Sequence, residues 1–469
     1  QHRAEIEAEL EAELEAGTTP AGAAPTSAGR GSADEESAAQ ADRLPLEGVR
    51  VLDMTVVWAG PFATCILGDL GAEIIRVDNP YVFPSATRGV LPRPTDEMVA
   101  DIGGIFGGYP DAVAGERPWN RVALFNAHAR NKRSVTVDLR LDSGREAFLR
   151  LVEQCDVMIE NNSVDLLAKL GIDWDTLHER NDRLILIRMP SVGLSGPYRN
   201  YLGFGVNFEA LCGLGAIRGY EDADLSENDS VYHMDAASGA AGAFAALMAL
   251  RRRERTGRGE LVELAQSENM LNHIGELLIE ADRNGVAHER LGNRHATNAP
   301  QGCYPCRGDD AWAVLSIGDD AEWARLVDVM GAPAWALEAD LATVEGRRAR
   351  HDEIDEAIAR WTREHTPYEV FAACQANDVA AAPVLHELEA FEDPHLQARG
   401  LFRPNGSPET GQYLHATHLW RWDGPELAWG PLPVLGGDNE AVWRRIAGLS
   451  PDEYAELEAD GHLSLDYRG

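Results

Sequence analysis

Asp235 closes the string Tyr232-His233-Met234-Asp235 and opens a run of small residues from Ala236 to Ala243. An apolar helical pattern follows to Leu250 and ends in Arg251-Arg252-Arg253-Glu254-Arg255-Thr256-Gly257-Arg258-Gly259. A carboxylate in the first turn of a helix sits at the positive end of the macrodipole, which favours its ionised form. Small neighbours let a ligand approach closely. Both conditions suit a carboxylate nucleophile. The plainer alternative is an N-cap that only satisfies orphan N–H groups. The rest of the chain decides between them.

The elements that must position Asp235 alternate strand and helix. Val49–Met54 reads as a buried strand, Trp58–Pro61 as a turn, Phe62–Leu70 as a helix and Glu73–Asp78 as the next strand. That is a βαβ unit, so a parallel sheet with helices on both faces is expected. Asp156–Glu160 and Leu184–Met189 supply further strands. No G-x-G-x-x-G follows the first strand, and Gly203-Phe204-Gly205 does not lie on a strand-to-helix turn. Nicotinamide or flavin chemistry is therefore disfavoured.

A helical stretch runs from Ala236 to Asn284, after which the character changes. Gly302–Ile317 alternates as strands, Glu322–Met330 and Asp352–Glu364 read as amphipathic helices, and Val379–Val384 as a strand. The fold class expected is α/β: a large Rossmann-like parallel-sheet domain over 44–285 and a smaller α+β domain over 286–395. A segment over 396–469, rich in Trp, Pro and Gly before a last helix, returns to the large domain. Residues 1–43 split into an acidic run (Glu5–Glu15) and an Ala/Gly/Ser/Thr/Pro-rich arm, expected to be disordered.

Composition narrows the partners. With 77 Asp+Glu against 42 Lys+Arg the formal charge is −35, so nucleic acid and anionic membranes are poor partners. No apolar run approaches the roughly 18–20 residues that span a bilayer. The start has no basic n-region and no apolar h-region, so the reading is cytoplasmic. The six cysteines form no disulfide framework, and the lone Cys303-Tyr304-Pro305-Cys306 falls short of a structural zinc set. No metal is expected. Only two basic residues are lysines, Lys132 and Lys169.

From Leu44 onward the chain resembles the family III CoA-transferases, a group that includes formyl-CoA transferase, carnitine and bile-acid CoA-transferases and the related 2-methylacyl-CoA racemases. The resemblance rests on Pro45–Asp53, Ala59-Gly60-Pro61, Leu70–Val77, Asn131-Lys132-Arg133-Ser134, Asp156–Asn161, Arg255–Gly259 and Leu291-Gly292-Asn293-Arg294, in that order. The family's catalytic aspartate precedes the R-x-x-T-G-x-G segment, at the place of Asp235. The resemblance implies transfer of CoA from an acyl-CoA to a carboxylic acid through an aspartyl-CoA thioester. CoA and acyl-CoA are then substrates, with no permanently bound cofactor.

The same resemblance implies where CoA sits. Val57, Trp58, Ala59 and Pro61 match positions lining its nucleotide end, and Asn79 stands where an Arg often meets the phosphates. Asn161 and Asn162 match the adenine and pantetheine path, Lys169 and Leu170 a basic–apolar pair at the CoA, and Phe204 a common Tyr. Lys132 falls in a CoA-side motif, so both lysines read as fixed charge for a polyanionic ligand. Gly302 ends a loop, Ala299–Gly302, that covers the site in the transferases. The long Gly/Pro-rich insert between Pro80 and Asn131 is expected to shape the acyl pocket. An interlocked homodimer is also implied.

Two alternatives remain at this stage. A racemase would swap an α-proton with a His/Asp pair, but the matching string Gly203-Phe204-Gly205-Val206-Asn207-Phe208 lacks both residues. A non-catalytic CoA-binding protein would bind CoA without turnover. The retained aspartate argues against it.

Overall fold

The computed structural model describes residues 42–102, 108–227 and 231–468. The acidic run, nearly all of the N-terminal arm and Gly103–Gly107 of the insert lie outside the described residues. Two units are distinguished, 45–421 with 427–469, and 42–44 with 422–426. In the small unit the indole N–H of Trp422 donates to the Pro425 carbonyl at 2.8 Å.

In the larger unit six strands form one parallel sheet: β1 (Arg50–Met54), β2 (Glu73–Asp78), β3 (Lys132–Thr136), β4 (Val157–Glu160), β5 (Ile185–Arg188) and β6 (Leu261–Glu263). Their spatial order is β3-β2-β1-β4-β5-β6, every neighbouring pair parallel. This Rossmann-like order reverses direction between β1 and β4, so a crevice opens outside the carboxyl ends of those two strands. The expected βαβ unit is present, with its helix at Ala59–Asp69. The central strands β4 (Val-Met-Ile-Glu) and β5 (Ile-Leu-Ile-Arg) are near-continuous apolar runs, as strands covered on both faces are. Leu52, Ile75, Met158 and Leu186 pack with Phe148 and Leu151 of the Asp142–Val152 helix.

The stretch expected to be helical to Asn284 is three helices, His233–Thr256, Gln266–Asn272 and Gly275–Asn284. Gly257 (φ 76°) ends the first by closing its N–H onto the Arg253 carbonyl, a left-handed stop that glycine adopts without strain. That stop lets the chain turn back and add β6 to the sheet. β3 and β6 were not legible as strands, because Lys132-Arg133-Ser134 is polar and β6 spans three residues.

A separate antiparallel sheet joins β7 (Gln301–Pro305), β8 (Trp312–Ser316) and β9 (Ala381–Val384). Its own core includes Tyr304, Leu315, Trp323, Leu326, Ile354 and Ile358. Cys306 lies in that core and Cys303 is half-buried on β7; both are free thiols. The aromatic tail forms a hairpin, β10 (Phe402–Ser407) with β11 (Gly411–Ala416). Beyond it the chain returns to the main sheet. Asp438 and Asn439 accept from the backbone N–H groups of Ser134 and Thr136 at 2.9 and 2.8 Å. Val442, Trp443 and Leu457 enter the main core.

Candidate active site

Asp235 is the third residue of the His233–Thr256 helix and is only 9% exposed. It is not an N-cap: Tyr232 holds that place in a left-handed conformation (φ 50°), with no side-chain cap. The Asp235 carboxylate instead faces the backbone N–H of Ala59, the first residue of the helix after β1, which pulls its ionisation down. Close packing of the two helices requires small residues. A side chain at Gly239 would strike Phe62 and the Ala59 carbonyl, and one at Gly242 would strike Met189. The small-residue run after Asp235 is therefore first a packing face.

Two residues of the Gly205–Leu211 helix face this aspartate. A Cβ at Gly205 would lie 1.9 Å from Asp235 Oδ2, so the absent side chain makes room for the carboxylate. One turn along, Glu209 is 4% exposed and accepts the Met234 N–H at 2.8 Å. Residues four apart share a helix face, which puts this second acid against the first. Burial, then the Glu209 charge, push Asp235 up from 3.8 to about 6, against the opposing pull of the Ala59 N–H. The expectation that the helix start would favour the ionised form is corrected: desolvation and a like charge outweigh the dipole. Sequence reasoning missed Glu209; its one signal is an acid flanked by apolar Phe208, Ala210 and Leu211.

The turn between β1 and its helix is held rigidly. Val57 has φ 60°, an outlier for a β-branched residue, and its N–H donates to Thr87 Oγ1 at 2.7 Å. Asn161 clamps the turn with both ends of its amide, accepting from Val56 N–H (2.7 Å) and donating to Val56 O (2.9 Å). Asn162 Nδ2 donates to Met54 O at 2.6 Å. These asparagines tie the carboxyl ends of β1 and β4 together across the crevice. Ala59 and Pro61 are buried and open the helix that follows the turn.

Two cavities flank the clamp and share Val56 and Asn162. One, of about 240 Å³, is lined by Asn79, Leu170, Arg140 and Val82. The other, of about 490 Å³, is lined by Asn161, Lys169, Arg199 and Gly203. Lys169 is exposed there, and Phe204, beside Gly203, is 53% exposed. Asn79 spends its amide internally, donating to Asp138 and accepting from Tyr81 N–H.

Two expectations are corrected. Lys132 does not offer its charge to a ligand: its buried ammonium donates to Asp53 Oδ2, Pro61 O and Thr64 Oγ1 at 2.9, 2.9 and 2.8 Å, which uses its three protons. Burial would raise Asp53, yet Lys132 and Arg76 hold its carboxyl well below the usual range. Gly302 lies within strand β7 opposite Leu315, not in a covering loop, because backbone pairing to β8 fixes it. It lines a separate cavity of about 460 Å³ with Asn293 and Ser316. Within one chain it is not brought to Asp235.

An aromatic cluster gathers on the segments that lead into Ala59 and Asp235. Trp58 stacks on His128 (centroids 5.4 Å, 27°) and tilts against Tyr232 (5.7 Å, 34°), while Phe62 tilts against His128 at 5.4 Å (54°). These residues are far apart in sequence, so no local pattern announces the cluster. Among the described residues no cluster of three or more His, Cys, Asp or Glu could hold a metal, and no helix is long and apolar enough to cross a membrane.

The sequence profile of CoA-transferase family III matches residues 46–439. A succinyl-CoA–D-citramalate CoA-transferase of Chloroflexus aurantiacus is 31% identical over 432 residues, covering 88% of this chain and 97% of that protein. A succinate–glutarate CoA-transferase of Agrobacterium fabrum is 31% identical over 361 residues, covering 76% of this chain and 84% of its own length. The crystal structure of a CAIB/BAIF family protein from Brucella suis superposes with a TM-score of 0.74 at 26% identity, covering 86% of this chain and all of that one. The chain belongs to the family III CoA-transferases, and it is an enzyme of transferase type.

Proposed function

We propose that this family III CoA-transferase moves CoA between an acyl-CoA donor and a carboxylic acid through a thioester on Asp235. One observation carries the reading: a buried carboxylate that faces the Ala59 backbone N–H just after β1 and has no cation beside it among the described residues. An ion-paired carboxylate would be a poorer nucleophile. With its ionisation near pH 6, Asp235 is charged at neutral pH yet poorly solvated, which favours attack.

The steps balance without a further reactant. An Asp235 oxygen attacks the thioester carbonyl, the C–S bond breaks, and a mixed anhydride and CoA thiolate result. The thiolate attacks the aspartyl carbonyl, forming the Asp235–CoA thioester and expelling the donor acid. The acceptor carboxylate then attacks that thioester and the sequence runs backwards. During attack on the aspartyl carbonyl the Ala59 N–H faces the oxygen that gains charge, as an oxyanion donor should.

In this reading Ala59 and Trp58 lie at the reacting end of CoA, next to its sulfur. The nucleotide end then belongs to the paired cavities, with Lys169 as the phosphate cation and Asn79, Asn162 and Leu170 along the wall. Because Gly302 and β7 belong to a separate sheet with its own core, a homodimer that brings a second copy's small sheet over the site is part of the proposal. Sedimentation would give a dimer mass.

Racemisation is the weaker reading. The position that would carry the racemase acid is Gly205, and the space a side chain would need there is filled by Asp235 itself. The deciding experiment incubates the enzyme with an acyl-CoA and weighs the intact protein. A mass gain of CoA less water is expected, absent in Asp235→Ala, which should still bind CoA. A fully active Asp235→Ala variant would sink the mechanism.

A further inference from the structure

We infer that the acyl group exchanged at Asp235 is flat and apolar, that of an aromatic or conjugated monocarboxylic acid, and that Trp58, Tyr232 and His128 form the face it packs on. This rests on Asp235 being the nucleophile. The three rings are contiguous and each keeps part of its surface exposed. Their placement beside the carboxylate follows from the backbone: Trp58 directly precedes Ala59, whose N–H reaches Asp235, and Tyr232 lies three residues before it. The strained Val57 and the Asn161 clamp fix the Trp58 backbone, so the ring is presented ready for stacking.

The charges around the rings point the same way. A dicarboxylic acid would need a cation for its distal carboxylate, and the nearby cations are already engaged. Lys132 has committed its three N–H donors, and Arg130 grips Asp69 through two nitrogens at 2.8 and 2.6 Å. Arg76 and Arg88 both bond Asp78. His128 is held neutral, down to about 3, first by desolvation and then by Lys132 and Arg130. At the exposed end of the helix His233 and His273 contact each other at 3.3 Å. Glu209 and Asp235 already place two acids here, so a third negative charge is repelled.

Loading of the enzyme isolates this preference, because it needs no acceptor: the Asp235–CoA thioester forms and the free acid leaves. Intact-mass kinetics would compare benzoyl-CoA and cinnamoyl-CoA with succinyl-CoA and acetyl-CoA on the full chain. The aromatic thioesters should load with kcat/KM at least about tenfold above succinyl-CoA. Trp58→Leu should lower the aromatic-to-acetyl ratio by roughly tenfold, and Trp58→Arg, which supplies the missing cation, should raise the succinyl-to-aromatic ratio. Succinyl-CoA loading as fast as the aromatic thioesters, or ratios unmoved in both variants, would overturn the inference while leaving transfer through Asp235 intact. If no thioester loads, or Asp235→Asn loads equally, the nucleophile reading fails and this one with it.

Discussion

At the scale of single residues, the site is built on a conflict that the protein tolerates. Asp235 is ionised at neutral pH although burial and Glu209 oppose it, and the cost falls on the folded state. The sign is definite. A carboxyl whose folded value is raised loses nothing below pH 3.8, where both states are protonated; its penalty grows up to about pH 6 and is complete above that. Asp235→Asn should therefore stabilise the fold at pH 7, by at most about 3 kcal/mol, while lowering transfer at least about a thousandfold. Denaturant unfolding beside an exchange assay checks both halves, and a destabilised variant would contradict the first. The kcat/KM for acyl-CoA should fall as pH drops through 6, and Glu209→Gln should move that limb lower by removing a like charge. A limb that stays put in Glu209→Gln would remove Glu209 from the account. Asp235 was legible in the sequence because a family motif brackets it. Glu209 and His128 were not, because their roles exist only when distant helices meet.

At the scale of elements, the two lysines separate motif from function. Both fall in family motifs, yet one is a strand residue and the other a cavity residue. Lys132 leaves β3 to reach Asp53 on β1, the Thr64 hydroxyl and the Pro61 carbonyl, so it binds the first βα unit to the sheet. Lys132→Met would leave Asp53 in the core with Arg76, at 3.6 Å, in place of its closest cation and should cost about 3–5 kcal/mol of stability, measured by chemical unfolding. Lys169→Ala should leave stability within about 0.5 kcal/mol and raise KM for acyl-CoA roughly tenfold, more at low salt. If the effects were reversed, the assignment of the two would be wrong. The βαβ unit and the strands of the small sheet were readable from their apolar runs and alternation. The polar β3, the three-residue β6 and the β10–β11 hairpin were not, because sheet neighbours rather than local composition make them strands.

At the scale of the whole molecule, a net charge of −35 is carried by a chain whose buried cations are largely committed to ion pairs. Self-repulsion of the surface should make the fold salt-dependent: the melting temperature should rise between low salt and about 1 M NaCl, where the Debye length shrinks to about 3 Å. A flat response would mean that the acidic surface is already balanced. The same charge should keep nucleic acid away from the crevice at low and physiological ionic strength. The return of the C-terminal segment to β3 has a consequence in time. Thr136 donates its backbone N–H to Asn439, 303 residues later in the chain. At roughly 5–20 residues per second of synthesis, the outer rim of the sheet waits some 15–60 s for its cover while the ribosome works through the rest. A nascent chain stalled before Asp438 would carry that rim bare, ready to pair with another chain, and is expected to be the species that chaperones hold.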